Sequence, residues 1–305
     1  MLTDDIERYV MIRRAAGHAF EAGARLLRQY ARFAKARGDS HVRSSTAINW
    51  AAAGVSPHMR HVRMRYLVRF ARFQHAEDER HEIPPRHAFA ERRCRPLPYI
   101  YSNLEIARLL AAADRLRLSY AYPLRRAIYR TLIGLIVVTG LRRSEALDLR
   151  VQDISADGVL TVRRTKFRKS RLVPLHPTAL VALREYLALR LRRAVKGDHL
   201  FPSVTNGRIE SSVANTTFRR MLTLAKIAPN RARRPRIHDL RHTFATRALE
   251  RCPADPRVIA RHFVALSTYL GHVKMSATHW YLEATPELLM DIATVGETAI
   301  QGAKS

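Results

Sequence analysis

The sequence predicts a mainly α protein (α+β overall) of two domains, the second carrying a small β-hairpin or three-stranded edge sheet. Three observations carry that prediction. Apolar residues recur at helical spacing through most of the chain, a basic and proline-rich stretch between Ile83 and Pro98 breaks the pattern, and two β-rich segments, GVLTVRR and RLVPL, flank the charged turn TKFRKS. With 305 residues, 47% of them hydrophobic, the chain is long enough to bury two cores. The domains are set at 1–95, with a linker to about 101, and 102–305.

The first domain reads as helices separated by polar breaks. A stretch near Ile6 to Ala36 carries Leu26, Leu27, Tyr30 and Phe33 as one apolar stripe, and Gly38-Asp39-Ser40 ends it. A short helix near Ala47 to Ala53 follows Ser45. A longer one after Ser56-Pro57 has Val62, Tyr66, Phe70 and Phe73 at helical spacing, and these aromatics read as core. Its other face is Arg60, Arg63, Arg65, Arg69 and Arg72, either a solvated face or a set of phosphate contacts. Pro84-Pro85 and ERRCRPLP can neither continue a helix nor pair centrally in a sheet, so they form the linker.

The second domain opens at Ser102-Asn103-Leu104-Glu105, where the serine and glutamate have the spacing of a capping box. Helices are predicted near 103–114 and 123–139, a hairpin near 158–175, and further helices near 177–193, 212–226, 238–250 and 286–299. The last carries Leu288, Leu289, Ile292 and Val295 at helical spacing, to pack on its own domain or on a neighbouring subunit. Internal repeats and low-complexity tracts are absent.

Charge narrows the function class. Lys and Arg number 54 against 26 Asp and Glu, a formal +28 spread along the whole chain. Small soluble domains carry a net charge of only about 2 to 8, so a polyanionic partner such as a nucleic-acid backbone is expected. Cys94 and Cys252 are too few for a disulfide framework or a zinc cluster and read as small apolar fillers. No segment offers about 18 consecutive apolar residues and the start MLTDDIERYV lacks a signal core, so a cytoplasmic, nucleoid-associated protein with no membrane partner is expected.

Breaking a phosphodiester without a metal needs a nucleophile, cationic donors for the phosphate oxygens, and an acid for the leaving oxygen. The stretch TGLRRSEALDL places Arg142 after a Gly140 turn and before a short helix whose first turn holds Glu145. In RIHDLRHTFA, His238 and Arg241 share one helix face. Lys166 sits in the hairpin turn, and STYLGHVKMSATHWYLEATPELL supplies His272 and, nine residues on, Tyr281. Singly these are weak signals: a turn lysine is usually a solubilising tip, and a tyrosine before a helix usually anchors a core. A metal ligand set is neither required nor visible, and no cofactor is expected.

Together and in this order, these segments resemble the tyrosine recombinases, the phage integrase and Xer-like family whose catalytic site is shared with type IB topoisomerases. The resemblance is strong over roughly residues 100–295, through TGLRRSEALDLR, TKFRKSRLVPL, HDLRHTFAT and STYLGH with Tyr281; the helical N-terminal part matches only in size and character. It implies a SAM-like core-binding domain and a catalytic domain that together clasp duplex DNA. Arg142 and Arg241 would hold the non-bridging oxygens of the scissile phosphate, Lys166 would protonate the departing 5′-oxygen, and His238 and His272 would donate hydrogen bonds and move protons. Glu145 would support the pocket and its first arginine, and Tyr281 would form a 3′-phosphotyrosyl intermediate. Phe167 and Arg168, at the hairpin tip, would lie near the DNA. A phenol has a free pKa of about 10, so the chemistry itself calls for neighbouring bases and a neutralised phosphate.

Between Arg241 and His272 the chain is longer than compact members of that family, the surplus lying around Cys252-Pro253 and Arg261-His262-Phe263. The intact Leu270-Gly271-His272 implies that the register recovers. Tyr269 is the rival nucleophile, but its place before Leu-Gly-His marks it as helix packing; His242, His262 and His279 read as structural or surface histidines. The expected function is a site-specific DNA recombinase for integration, excision or transposition of a mobile element, acting as a dimer or tetramer on double-stranded DNA, alone or beside other recombinases. The rivals are a topoisomerase-like relaxing enzyme and a non-catalytic DNA-binding relic. The complete residue set opposes the relic.

Overall fold

The computed structural model describes residues 2–89, 97–163, 170–193, 195–228, 234–252 and 256–271. The chain divides into two compact units, Met1–Arg95 and Pro96–Ser305.

The first unit holds α1 (Leu2–Ala15), α2 (Glu21–Lys35), α3 (Ser44–Ala52) and α4 (Pro57–His75). The stretch expected to run from Ile6 to Ala36 is two helices. The chain turns at Gly17, with φ 82°, and Phe20 takes a left-handed φ of 48°. A phenylalanine there costs about 1–2 kcal/mol in backbone terms; packing offsets it, because its ring lies edge-on to Tyr9 at 5.7 Å and to Tyr66 at 5.8 Å. Gly23 makes room for that ring, since a Cβ there would stand 2.6 Å from Phe20 Cε2. Ser56 caps α4 by accepting from Met59 N–H at 3.2 Å, with Pro57 in the first turn, where a missing N–H costs nothing. Leu27, Tyr30, Leu67 and Phe70 are fully buried, and Val62, Tyr66 and Phe73 pack against that core.

The second unit runs α5 (Asn103–Asp114), α6 (Arg125–Thr139), α7 (Arg143–Asp148), β1 (Val159–Val162), β2 (Arg171–Pro174), α8 (Pro177–Arg192), α9 (Ser211–Leu224), α10 (Ile237–Glu250) and α11 (Pro256–Leu270). The capping box at α5 forms: Glu105 N–H donates to Ser102 Oγ at 3.1 Å and Ser102 N–H donates to Glu105 Oε2 at 2.9 Å. α6 is the core helix, with Ile128, Leu132, Ile133 and Ile136 buried, and it packs against α5, α8 and α10. β1 and β2 pair antiparallel, Leu160 opposite Val173 and Val162 opposite Arg171, and the inward residues Leu160, Val162 and Val173 are buried. Among the described residues the sheet has these two strands only, beside isolated bridges such as Ile154 to Leu160.

α11 was not expected. The surplus residues read as an insertion form a helix whose Phe263, Leu266 and Leu270, spaced three and four apart, bury against Ala245 and Leu249 of α10. The helix expected at 286–299 lies outside the described residues. No helix among the described residues is long and apolar enough to cross a membrane.

Candidate active site

The site begins where α6 stops. Gly140 adopts φ 61° as the C-cap of α6, and its missing Cβ is required twice over: the conformation is left-handed, and a Cβ would meet Phe244 Cδ1 at 2.5 Å. The turn sends Leu141 into the core and sets Arg142 at the N-cap of α7. Arg142 N–H donates to Glu145 Oε2 at 2.9 Å, and its Nη1 donates to Glu145 Oε1 at 2.6 Å. The carboxylate thus satisfies an orphan amide at the helix start and grips the side chain of the same residue.

Glu145 has a second cationic partner. Arg171, at the start of β2, donates Nη1 to Oε1 at 3.0 Å and Nη2 to Oε2 at 2.8 Å, a two-pronged pair. Burial alone would push the Glu145 carboxyl up, but the hydrogen bonds and charge of Arg171, joined by the amide and guanidinium of Arg142, bring it down to about 2.

Three guanidiniums meet the C-terminal end of α11. Arg171 Nε donates to Tyr269 O at 2.8 Å, Arg241 Nη2 to Leu270 O at 2.7 Å, and Arg142 Nη2 to Gly271 O at 3.0 Å. A helix end exposes unpaired carbonyls and a partial negative charge, so cations are favoured there. Each of three successive carbonyls receives a different arginine, and His272 is the next residue in sequence. Arg241, 1% exposed, also donates Nη1 to Gly140 O at 2.7 Å, tying the turn before Arg142 to the end of α11.

His238 lies one turn before Arg241 on α10. That helix starts with Arg236 N–H donating to Asp239 Oδ2 at 2.7 Å, and it is tied to the start of the second unit by Tyr101 N–H donating to Thr243 Oγ1 at 3.0 Å. His238 is exposed by surface area yet has protein mass around most of its ring, which stands edge-on to His242 at 4.6 Å. Desolvation first, then the charges of Arg241 and Arg236 with a smaller push from Arg142, lower its pKa to about 4 against the opposing pull of Asp239.

Arg142, Glu145, His238 and Arg241 are therefore brought together, whereas Lys166, Arg168, His272 and Tyr281 lie outside the described residues. Tyr269 stacks on Phe244 at 5.7 Å, and burial raises its pKa, which suits packing rather than nucleophilic attack. The sequence motif alone gives Arg171 no role of its own; the signal that could find it is an arginine on the first residue of a strand that is otherwise apolar.

In the first unit, Arg65, Arg69 and Arg72 are exposed along α4 at spacings of four and three. Arg60 directs Nε to Gly54 O at 3.1 Å, and Arg63 directs Nη1 to Trp50 O at 2.9 Å while lying 5.1 Å from that ring. Among the described residues one group, His41, Asp78 and His81, has ligand atoms within 4.8 Å of one another. Val42 N–H donates to His81 Nδ1 at 3.2 Å, so the neutral ring carries its proton on Nε2, and Asp78 already takes a two-pronged bond from Arg80, Nε to Oδ1 and Nη2 to Oδ2. That donor set is poorly suited to a metal.

Residues 102–287 match the family model described as the phage integrase family, and the chain belongs to that family, the tyrosine-type site-specific recombinases. Among its relatives is a Sinorhizobium fredii protein named integrase/recombinase y4rB, 36% identical with 94% of each chain covered. The tyrosine recombinase XerD of Caulobacter vibrioides is 34% identical, with 79% of this chain and 75% of XerD covered. In fold the chain is similar to the XerH site-specific recombinase bound to its palindromic difH substrate, with TM-score 0.65 and 23% identity over 90% of this chain and 80% of that one. It is also similar to the Tn1549 transposon integrase, with TM-score 0.63 and 18% identity over 92% and 94%.

Proposed function

We propose that this chain cleaves and rejoins double-stranded DNA at specific sites through a 3′-phosphotyrosyl intermediate, in the service of a mobile element, and that it assembles as a dimer or tetramer on DNA. Residues 102–305 are the catalytic domain in this reading and 1–95 the core-binding domain. The observation that carries it is the convergence of Arg142 and Arg241 on the carbonyl end of α11, one residue before His272, with His238 within the field of both guanidiniums. Two guanidiniums held on adjacent carbonyls form a rigid cationic floor suited to the non-bridging oxygens of one phosphate.

In the reaction, the Tyr281 phenol oxygen attacks phosphorus and the bond to the 5′-oxygen breaks. Lys166 gives that oxygen a proton, and His238, held neutral, is available to take the proton of the phenol, with His272 as the second histidine of the pocket. The phosphotyrosyl bond keeps the energy of the broken linkage, so a 5′-hydroxyl from another strand reverses the step without ATP. The formal +28 charge supports the DNA partner, and relatives that are 36% and 34% identical over nearly the whole chain carry the integrase/recombinase name. A duplex enriched from a randomised library, nicked so that cleavage is irreversible, provides the test. Wild-type protein is expected to form a covalent adduct and Tyr281→Phe to bind without forming one; an adduct with Tyr281→Phe would overturn the reading.

A further inference from the structure

We propose that Arg171 is a positioning residue for the recombination reaction, holding Glu145, and through it the Arg142 guanidinium, in register with the end of α11. The proposal rests on the reading that Arg142 binds the scissile phosphate. Glu145 accepts four hydrogen bonds, two from Arg142 and two from Arg171, which fills about the four lone-pair sites a carboxylate has. Its side chain is 5% exposed and has no freedom to rotate while both arginines are in place.

Arg171 differs from Arg142 in what it leaves open. All three of its guanidinium nitrogens point inward, Nη1 and Nη2 to Glu145 and Nε to Tyr269 O, and it lies flat against Gly271, where a Cβ would meet Nη1 at 3.1 Å. Its side chain, 12% exposed against 24% for Arg142, is committed to Glu145 and the end of α11. Its charge serves a second purpose: it offsets the carboxylate, so the positive charge of Arg142 is not cancelled by Glu145 and remains available to an anion. Without Arg171, two acceptor sites of a buried carboxylate would lose their donors, and the carboxylate would be free to swing and take Arg142 Nη1 with it.

The test compares single-turnover cleavage of the nicked, library-enriched duplex with its dissociation constant. Arg171→Gln is expected to slow cleavage about 10- to 100-fold, as loss of an outer support does elsewhere, with DNA affinity unchanged; Arg171→Lys, which keeps the charge but one prong only, recovers part of the rate. In an Arg142→Ala background, Arg171→Gln adds little further loss. The acid limb of the pH profile moves upward in Arg171→Gln, because Glu145 keeps its burial and Arg142 but loses Arg171; the other charged groups around its cleft, Asp148, Arg150, Asp153, Arg163 and His199, are unchanged. Wild-type cleavage by Arg171→Gln, or losses that multiply in the double variant, overturns the proposal. Should Arg171→Gln not fold, a wild-type rate and unmoved pH profile in Arg171→Lys does the same. Wild-type protein that forms no adduct sinks both this proposal and the functional reading, whereas an active wild type beside an unaffected Arg171 variant sinks this one alone.

Discussion

The arginines of the second unit and those of α4 in the first are the same residue type in opposite circumstances. Arg142, Arg171 and Arg241 have their donors directed at named oxygens, a buried carboxylate and the carbonyls at the end of α11, and Arg241 is almost wholly enclosed. Arg65, Arg69 and Arg72 stand exposed on one face of a helix. The difference teaches that a shared charge does not imply a shared task. A guanidinium fixed before an anion arrives can stabilise charge that develops on it, whereas an exposed one must be ordered by the anion and contributes mainly attraction.

That contrast predicts a graded series of effects. Arg241→Ala is expected to be the most damaging, slowing cleavage about 100- to 1000-fold on the nicked duplex, with weakened thermal stability as two buried carbonyls lose their donors. Equal cleavage by variant and wild type would remove Arg241 from the site.

Next comes Glu145→Gln, which leaves two guanidiniums around a neutral amide and should destabilise the fold by about 3–5 kcal/mol in urea unfolding. The folded carboxyl lies at about 2, below its ordinary 4.5, so its contribution is present above pH 4.5 and is lost as pH falls toward 2. At about 1.4 kcal/mol for each unit of pKa this contribution is about 3 kcal/mol, and the acid slope in that window should shrink in Glu145→Gln.

His238 should show a smaller, spectroscopic effect. Its pKa is lowered from 6.5 to about 4, so the stability linked to the neutral ring is present above pH 6.5 and is lost as pH falls toward 4. An NMR titration of the ring should find it neutral at pH 7 in the free protein, and bound duplex should raise its pKa because a phosphate offsets the arginine charges. A ring that titrates at its ordinary value with and without DNA would contradict the account.

The gentlest changes are expected on α4. Arg65→Ala, Arg69→Ala and Arg72→Ala should each alter fold stability by less than about 0.5 kcal/mol, and each should reduce the salt dependence of DNA binding by about one phosphate contact. An unchanged salt slope in all three would make that face merely solvated.

Much of this is legible in the sequence, because the signals are local. The Ser102 and Glu105 capping box, the Gly140 stop before Arg142 and the β-rich flanks of the hairpin each announce themselves within a few residues. The split at Gly17 to Phe20 was not legible, since a phenylalanine in a left-handed conformation is tolerated only for its ring contacts with Tyr9 and Tyr66. α11 is harder to read: Phe263, Leu266 and Leu270 have helical spacing, but the segment also stands out as surplus length against the family pattern, and its apolar stripe is short. The arginine contacts at Tyr269, Leu270 and Gly271 were invisible for a different reason: a carbonyl carries no side-chain signal, and its partners stand 98, 29 and 129 residues away.

The most direct measurement is to trap the covalent protein–DNA adduct, digest both components and locate the attached nucleotide by tandem mass spectrometry. A nucleotide attached through its 3′-phosphate to Tyr281 is expected. A label on Tyr269 or any other residue would contradict it.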